Sequence, residues 1–367
     1  MIQEVDVQTL QEWLTRGKPV KVLDVRPVQD RELWWIPGSQ HVDAYESLKA
    51  GSAGALADIS LPQGQVVVTV CGVGRVSAKA ADMLVAQRGI AALTLRGGMK
   101  AWSLAWNTAS RSFGPVEITQ VRRTGKGCLS YLICSEGDAA VIDPSVEPEV
   151  YLSLARERGA GIRAILETHI HADHLSRARL LAERSGAELV LPRQQRVRYP
   201  HRLVTEGDGI SVGAISLEVL STPGHTDESM TYCVAGAGIF TGDTLFLRGV
   251  GRPDLHAAGQ ESEVRSRMLF KSLQRLTSLD AGLLVFPGHT PEPVSFDGEL
   301  LTAPLGEVAG RLGDWLSSQE AFVNRILARI PATPPNYAVI SQANERGDWP
   351  ASDPTDLEAG ANRCAVS

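Results

Sequence analysis

Histidine and aspartate residues cluster in four short strings of this chain. Five of the eight histidines lie in three of the strings, and an aspartate occupies the same setting in the fourth. The strings are residues 168–174 (THIHADH), 223–226 (PGHT), 241–244 (TGDT) and 287–290 (PGHT). Imidazole nitrogens and carboxylate oxygens are ligands that zinc and iron use in proteins. The strings therefore indicate metal chemistry.

Each string directly follows an apolar stretch that is predicted to be a β-strand. These stretches are residues 163–167, 215–220, 238–240 and 282–286. Ends of neighbouring strands meet at one edge of a sheet, so four sequence-distant strings can surround one point. The first string needs a loop, because residues two apart on a helix point in different directions. A tight loop can aim His169 and His171 at one metal ion and Asp173 and His174 at a neighbouring position.

A purely structural interpretation of the same residues is the alternative. Isolated histidines are often buried and hydrogen-bonded, and Asp173 could cap a helix that begins near Leu175. Four strings in the same strand-end setting are harder to explain in this way. We therefore predict a metal site, with zinc or iron as the ion.

Composition indicates a globular chain of two domains. The chain has 367 residues, of which 43% are hydrophobic and 21% charged, and its mean hydropathy is -0.05. The net charge of -6 contains no block of like charges, which argues against a nucleic-acid surface or a polybasic membrane anchor. No apolar run reaches the roughly 18 residues of a membrane span.

Neither the beginning of the chain nor its cysteines indicate export. The first residues include Glu4, Asp6 and Glu12 and lack the basic flank and apolar stretch of a signal peptide. The five cysteines are scattered and contain no CxxC pair, so we predict a reducing cytoplasm.

Alternating strand and helix patterns define the predicted domains. Residues 1–106 form a first α/β domain, and residues 107–115, which lack periodicity, are predicted to be a linker. Residues 116–345 form a second α/β domain that ends in helices over 305–316 and 321–330. Residues 346–367 are predicted to be a flexible tail.

Cys71 has the setting of a reactive thiol. A buried-type strand over 66–70 precedes it, and a helix is predicted to begin near Ser77. The short loop 71–76 holds two glycines, so its N–H groups and the helix N-terminus can favour a thiolate, and Arg75 adds a positive charge. The alternative is a small buried cysteine that only packs.

Residues 113–337 resemble the metallo-β-lactamase fold, an αββα sandwich of two mixed sheets flanked by helices. The strings THIHADH, TPGHT and TGDTLFLRGVGRPDL are similar to the persulfide dioxygenase and glyoxalase II branch of that superfamily. GDTLF followed by RGxGRxD is typical of persulfide dioxygenases.

That resemblance implies roles for individual residues. One ferrous iron would be held by His169, His225 and Asp243, a two-histidine-one-carboxylate set with open positions. The residues around it would be His171, Asp173, His174 and His289. In glyoxalase II relatives they complete a two-metal site that activates a hydroxide, so zinc and a second ion remain alternatives.

Two further residues are candidates for substrate binding. Arg252 falls where the family has an arginine that binds the carboxylate of glutathione, and its alternative is a surface arginine paired with Asp254. Thr226, in the second string, is the other candidate. The string His289-Thr290-Pro291 lacks a tyrosine that glutathione-using dioxygenases often carry, so coenzyme A or another thiol remains an alternative carrier.

Residues 1–106 resemble a rhodanese domain, a small doubly wound α/β fold. The resemblance rests on LDVR (23–26), IPGS (36–39) and RGGMKAW (96–102). It implies that Cys71 accepts a sulfane sulfur as a persulfide and that Arg75 belongs to the catalytic loop. The loop departs from the frequent pattern CxxGxRS, because Arg75 lies one place early.

Together the two resemblances imply a persulfide dioxygenase fused to a sulfurtransferase, in sulfide or sulfur metabolism. A low-molecular-weight thiol persulfide and O2 would give sulfite and the free thiol, and the rhodanese domain would exchange sulfur with thiosulfate or sulfite. The alternatives are a thioester hydrolase similar to glyoxalase II and a rhodanese domain that serves only as a non-catalytic module. We expect no nucleic-acid or membrane partner, and a homo-oligomer remains open.

Overall fold

A computed structural model describes residues 3–257, 259–349, 353–360 and 362–366. It contains a small parallel-sheet domain, a two-sheet sandwich and a C-terminal segment that returns to the sandwich. The predicted first domain and predicted tail each include a few residues outside these ranges, namely 1, 2, 350–352, 361 and 367.

The first domain is a five-stranded parallel sheet with helices on both faces. Its strands are β1 (Glu4–Val5), β2 (Val20–Asp24), β3 (Gln40–His41), β4 (Val66–Val70) and β5 (Ala92–Leu95), and their order is β1-β5-β4-β2-β3. Its helices are α1 (Val7–Thr15), α2 (Val28–Leu33), α3 (Tyr45–Lys49), α4 (Arg75–Arg88) and α5 (Gly98–Trp102). The central strand β4 is a valine-rich run and is largely buried, as a parallel strand covered on both faces must be.

The helices of this domain confirm the doubly wound arrangement. Leu10 of α1 and Trp102 of α5 pack on one face of the sheet. Leu48 of α3 and Leu84 of α4 pack on the other. Helix α4 ends at Gly89, whose φ of 62° lets it close the helix in the left-handed region.

The second domain is built on two mixed sheets. Its strands are β6 (Asn107–Phe113), β7 (Val116–Arg123), β8 (Cys128–Ser135), β9 (Asp138–Ile142), β10 (Gly161–Leu166), β11 (Glu188–Pro192), β12 (Arg202–Val204), β13 (Gly209–Val212), β14 (Ile215–Ser221), β15 (Met230–Val234), β16 (Gly238–Gly242), β17 (Leu245–Phe246), β18 (Gly249–Gly251), β19 (Leu284–Pro287), β20 (Ala303–Pro304) and β21 (Ala365–Val366). One sheet has the order β12-β11-β10-β9-β8-β7-β6, and the other has the order β13-β14-β15-β16-β19-β20. Strands β17, β18 and β21 form a small third sheet.

The two large sheets enclose an aromatic core. Tyr131 of β8 contacts Phe240 of β16 with ring centroids 4.9 Å apart, and Phe240 stacks on Phe286 of β19 at 4.8 Å. The inward-facing residues of each sheet thus alternate with outward-facing ones that meet the helices.

Helices cover both outer faces of the sandwich. Helices α6 (Pro148–Glu157) and α7 (Ala178–Ser185) pack on the seven-stranded sheet, and α8 (Gln260–Thr277), α9 (Leu305–Leu312) and α10 (Gln319–Leu327) pack on the six-stranded one. Two further helices, α11 (Tyr337–Arg346) and α12 (Pro354–Glu358), follow. This layering confirms the predicted αββα sandwich. None of the helices within the described ranges is both long and apolar enough to cross a membrane.

The predicted linker at 107–115 is wrong, because this segment is an edge strand. Strand β6 pairs with β7 along its whole length, from Asn107 opposite Arg122 to Phe113 opposite Val116. Gly114, with a φ of 58°, and Pro115 form the two-residue turn between them. An edge strand with one exposed face carries polar side chains, which hides its periodicity in the sequence.

The predicted flexible tail is also wrong for the described part of 346–367. Strand β21 pairs with β18, and helix α12 places Glu358 in the interior with no exposed surface. Glu358 accepts hydrogen bonds from Arg123 at 2.5 Å, from Arg177 at 2.6 Å and from the backbone N–H of Leu175 at 2.7 Å. These contacts join residues far apart in sequence, and local composition does not reveal them.

Glu358 should stabilise the fold, and its charge should matter. Burial raises its pKa, but Arg123 and Arg177 outweigh burial and lower the pKa to about 2. We expect Glu358→Gln to cost about 3 kcal/mol of unfolding free energy at neutral pH, because two buried guanidinium groups lose their counter-charge. Urea unfolding of the full-length protein measures this difference.

The difference in unfolding free energy between the wild type and Glu358→Gln should decrease at low pH. A carboxyl group whose pKa is lowered by folding stabilises the fold above its unfolded pKa of about 4.3, and this stabilisation is lost as the pH falls towards 2. The stability difference between the wild type and Glu358→Gln should therefore begin to shrink below about pH 4 and disappear near pH 2. Glu307→Gln, at an exposed pair on α9, should change stability by less than about 0.5 kcal/mol. Equal stability of wild type and Glu358→Gln at pH 7 would contradict this role.

Candidate metal centre

The four histidine and aspartate strings meet at one edge of the sandwich. They follow the ends of β10, β14, β16 and β19, and their side chains are buried. His169, His225 and Asp243 form one group in which one possible ligand atom from each residue lies within 4.8 Å of the others. His169, His225 and Asp243 are 2%, 3% and 2% exposed, so bulk water does not reach the group.

Hydrogen bonds orient both imidazoles of this group. The hydroxyl of Thr168 donates to Asp143, so its oxygen accepts from Nδ1 of His169 at 2.9 Å. Nδ1 of His225 donates to the carbonyl of Arg252 at 2.8 Å. Each ring is thereby left with its Nε2 lone pair free for a ligand bond.

These lone pairs face one carboxylate oxygen. Nε2 of His169 and Nε2 of His225 lie 3.9 Å and 3.6 Å from Oδ2 of Asp243. That Oδ2 is buried and has no hydrogen-bond partner among the described residues, which is costly unless another group binds it. Two imidazole nitrogens and one unsatisfied carboxylate oxygen fit a divalent ion such as iron or zinc.

The protonation states suit metal binding. Burial lowers the pKa of His169 well below its usual value, and charge on His171 acts in the same direction. Burial also lowers the pKa of His225. Burial raises the pKa of Asp243, but the hydrogen-bonded His289 outweighs it and lowers that pKa. The group therefore offers two neutral imidazoles and one carboxylate.

His171 belongs to a different cluster. Its Nε2 lies 3.0 Å from Glu167 and 3.2 Å from Asp143, and these three residues form a separate buried group. Burial opposes protonation of His171, but the two carboxylates raise its pKa well above the usual value. Its Nδ1 is buried and has no hydrogen-bond partner among the described residues, and its ring lies 4.2 Å from that of His169. The pairing of His169 and His171 on one ion therefore stays a prediction. Sequence reasoning missed both carboxylates, although Glu167 lies four residues before His171.

A third group lies beside the first. It contains Cys128, Asp173, His174 and His289. Nδ1 of His289 lies 2.6 Å from Oδ1 of Asp243, and its Nε2 lies 2.8 Å from Asp173, so this histidine joins the two groups. Asp173 does not cap a helix, because α7 begins only at Ala178.

Cys128 lies outside the four strings, yet its thiol belongs to this third group. Its Sγ lies 3.4 Å from Oδ2 of Asp173 and 3.8 Å from Nδ1 of His174. Burial and Asp173 raise its pKa, but His174 and His289 outweigh them and lower the pKa to about 6. Cys128 reaches this place through a backbone bridge to His289, a long-range contact with no local signal in the sequence.

Arg252 does not have a free guanidinium for a substrate carboxylate. The residue is fully buried, and its Nε and one terminal nitrogen bind Asp254 at 2.7 Å and 2.8 Å. Its remaining N–H groups donate to the carbonyls of Pro331, Ala332 and Arg363. All five donors are used, so the predicted substrate contact is wrong, and the pairing with Asp254 is internal rather than superficial.

Thr226 lies at a small cavity beside the first group. The cavity is also lined by His225, His256 and Arg265. The hydroxyl of Thr226 lies 2.7 Å from that of Ser229. Its predicted role in substrate binding stays a prediction.

Helix α11 covers the metal centre from the C-terminal side. The amide of Asn344 donates to the carbonyls of His171 and His174 at 2.8 Å and 2.9 Å. Asn362 donates to Asp173 at 2.9 Å. The C-terminal segment therefore holds the loop 169–174 in place and restricts access to it.

The cysteine loop of the first domain has the expected form. Cys71 follows β4, and its Sγ accepts a hydrogen bond from the N–H of Ser77 at 3.3 Å in the first turn of α4. Arg75 is exposed at the first position of that helix. Gly98 packs so closely that a Cβ there would lie 2.2 Å from the carbonyl oxygen of Cys71, which explains a glycine at this place. The catalytic roles of Cys71 and Arg75 stay predictions.

Two family models match the chain. The metallo-beta-lactamase superfamily matches residues 123–289, and the rhodanese-like domain matches residues 6–105. A hydroxyacylglutathione hydrolase of Methylobacillus flagellatus is 35% identical over 216 residues, which cover 58% of this chain and 80% of the relative.

Two solved structures are similar as well. A metallo-beta-lactamase from Staphylococcus aureus has a TM-score of 0.60 at 27% identity, covering 65% of this chain and 76% of that chain. ETHE1 from Myxococcus xanthus has a TM-score of 0.55 at 29% identity, covering 63% of this chain and 99% of that chain.

The sandwich and its histidine–aspartate centre define a metal-dependent enzyme of hydrolase or oxygenase type. The chain belongs to the metallo-beta-lactamase superfamily, and a rhodanese-like domain precedes its metal-binding domain.

Metal binding should depend on Asp243 and not on His171. After loading with excess ferrous iron or zinc and removal of free metal, the wild type should retain bound ion, measured by inductively coupled plasma mass spectrometry. Asp243→Ala should weaken binding by more than about 100-fold, because it removes the central ligand atom.

His171→Gln should keep a bound ion, because His169, His225 and Asp243 supply three ligands without it. His41→Ala, in the first domain, is the control. Equal metal loss in Asp243→Ala and His171→Gln would place His171 among the ligands and contradict a site of three ligands.

Proposed function

We propose that this chain is a persulfide dioxygenase with an attached sulfurtransferase domain. It would convert a low-molecular-weight thiol persulfide, O2 and water into the free thiol, sulfite and two protons. The observation that carries the proposal is the buried group of His169, His225 and Asp243, in which Oδ2 of Asp243 has no hydrogen-bond partner among the described residues. Two histidines and one carboxylate are the ligand set of oxygen-using iron enzymes.

The residues of the first group would hold a ferrous ion. When bound, that ion would supply the activation of oxygen, which side chains cannot provide. His289 would keep Asp243 oriented through its hydrogen bond, and the carbonyl of Arg252 would keep His225 oriented. Burial of all three ligands would exclude bulk water from the reacting sulfur.

Two further observations support this assignment. ETHE1 from Myxococcus xanthus is a structural neighbour almost all of whose chain is matched. The rhodanese-like domain suits the same chemistry, because its Cys71 would carry sulfane sulfur as a persulfide. Thiosulfate and sulfite would be its small-molecule partners, and glutathione or coenzyme A the carrier thiol. All five cysteines are unpaired, which fits a reducing compartment such as the cytoplasm.

A thioester hydrolase is the second candidate. The Methylobacillus relative is named hydroxyacylglutathione hydrolase, and its identity of 35% is higher than that of either solved structure described above. Cys128, Asp173, His174 and His289 could hold a second ion next to the first. Two adjacent ions would activate a hydroxide for thioester cleavage.

Oxygen uptake separates these two functions. The full-length protein, loaded anaerobically with ferrous iron, should consume oxygen when glutathione persulfide is added, with sulfite formed in equal amount. Asp243→Ala should lose both signals by more than about 100-fold, whereas His41→Ala should keep them.

If oxygen is not consumed, coenzyme A persulfide is the second substrate to test, because the carrier thiol is part of the proposal. Failure of both persulfides, together with hydrolysis of a glutathione thioester by the zinc-loaded protein, would overturn the dioxygenase and favour the hydrolase.

Cys71 should matter for sulfur transfer but not for persulfide oxidation. Cys71→Ser should abolish transfer of sulfur from thiosulfate to a thiol acceptor, since serine cannot form a persulfide. Oxygen uptake with supplied glutathione persulfide should stay within about twofold of wild type, because Cys71 and the three proposed ligands lie in different domains. Cys233→Ser, at a half-buried cysteine of the second domain, is the control for both assays. Unchanged sulfur transfer in Cys71→Ser would make the domain a non-catalytic module.

A further inference from the structure

A chamber of about 360 Å³ lies where the two domains and the C-terminal segment meet. Gly72 and Met99 of the rhodanese-like domain line one side of it. Ala172 and Asp173 of the metal-binding loop line another, and Tyr337 of α11 belongs to the cover. The chamber therefore borders both the residue next to Cys71 and the residues next to the metal centre.

Lys126 is a charged residue of this wall. It lies in the turn between β7 and β8 and is only 4% exposed. Within the described part of the chain, its side chain makes no hydrogen bond or ion pair. An ammonium group with little access to water and no ion-pair partner favours a bound anion.

Five other charged side chains line the chamber, and three of them already have partners. Arg26 is bound to Asp24, Lys100 is paired with Asp356, and Asp173 contacts His289 at 2.8 Å. Arg363 adds a second cation to Lys126, and Asp30 is the remaining carboxylate. The side chains without an ion pair among the described residues therefore leave the chamber with a small excess of positive charge.

We propose that the chamber is a binding site for a small anionic sulfur compound and that Lys126 is its charged anchor. The shared chemistry is a sulfur compound that carries an oxyanion, either the carboxylate of a carrier thiol or a sulfur oxyanion such as thiosulfate. That the anion contains sulfur rests on the proposed function, whereas the anion site itself rests on Lys126 and the chamber.

The position of the site links it to both centres. Asp173, on the wall, contacts His289, and His289 contacts Asp243 at 2.6 Å. On the opposite side, the carbonyls of Cys71 and Gly72 accept hydrogen bonds from Met99 and Lys100 at 2.8 Å and 2.9 Å, which sets the wall against the cysteine loop. A compound held at Lys126 thus lies between the two groups of the chain that would handle sulfur.

Isothermal titration calorimetry tests the site directly. Thiosulfate and reduced glutathione are titrated separately into the full-length, metal-loaded protein without oxygen, so no turnover occurs. The wild type should bind at least one of them, and Lys126→Met should weaken that binding by about tenfold or more. Lys271→Met, at an exposed lysine of α8, should bind like the wild type. Binding of thiosulfate alone would identify a sulfur oxyanion, and binding of glutathione would identify the carrier.

A second variant tests the site independently if Lys126→Met does not fold. Arg363→Met removes another cation from the same wall at a partly exposed position and should weaken binding by about threefold or more. Circular dichroism confirms that each variant is folded. No binding of either probe to the wild type, or unchanged binding in every folded variant of the wall, would overturn the chamber site. Because neither oxygen nor persulfide is present, failure of the dioxygenase reaction would leave this result unaffected.

Discussion

The close approach of one hairpin turn to its neighbours holds the two domains together. A Cβ on Gly125 would lie 1.8 Å from the carbonyl oxygen of Trp102, and a Cβ on Gly127 would lie 2.6 Å from that of Thr290. Gly127 also has a φ of 96°, which other residues rarely adopt. Trp34 donates to the carbonyl of Thr124 in the same turn at 2.9 Å. The turn therefore sets the rhodanese-like domain against the strand end that carries His289, and it places Lys126 between them.

The metal centre depends on backbone groups as much as on its ligands. His225 is oriented by the carbonyl of Arg252, and the guanidinium of Arg252 binds the carbonyls of Pro331, Ala332 and Arg363. Arg252, which was expected to contact substrate, thus links the C-terminal segment to the proposed metal ligand His225. Glu358 has the same effect on the other side, since it binds Arg177 and the N–H of Leu175 just beyond the first string. The C-terminal segment is therefore part of the site.

Structural features that depend on neighbouring residues could be predicted from the sequence. The four strings and the loop after Cys71 could be inferred from the residues, because each combines a strand with the turn that follows it, whereas the layered sandwich was expected from the resemblance alone. Strand β6, helix α12 and the place of Cys128 could not, because they depend on pairing between distant segments. Arg252 shows the same limit, since the motif around it gives its position in the chain but not the partners of its guanidinium.

The ligand strings are common to dioxygenase-like and hydrolase-like relatives, so they do not decide between one ion and two. The partners of His171 show how that part of the first string is positioned. Glu167 lies four residues before His171, and with Asp143 it places two carboxylates at Nε2 of the ring. The other ring nitrogen, Nδ1, is buried and has no hydrogen-bond partner among the described residues. A carboxylate bound to one imidazole nitrogen orients the ring and leaves the other nitrogen free for a ligand bond. The residue before the first string is therefore part of the site that the string builds.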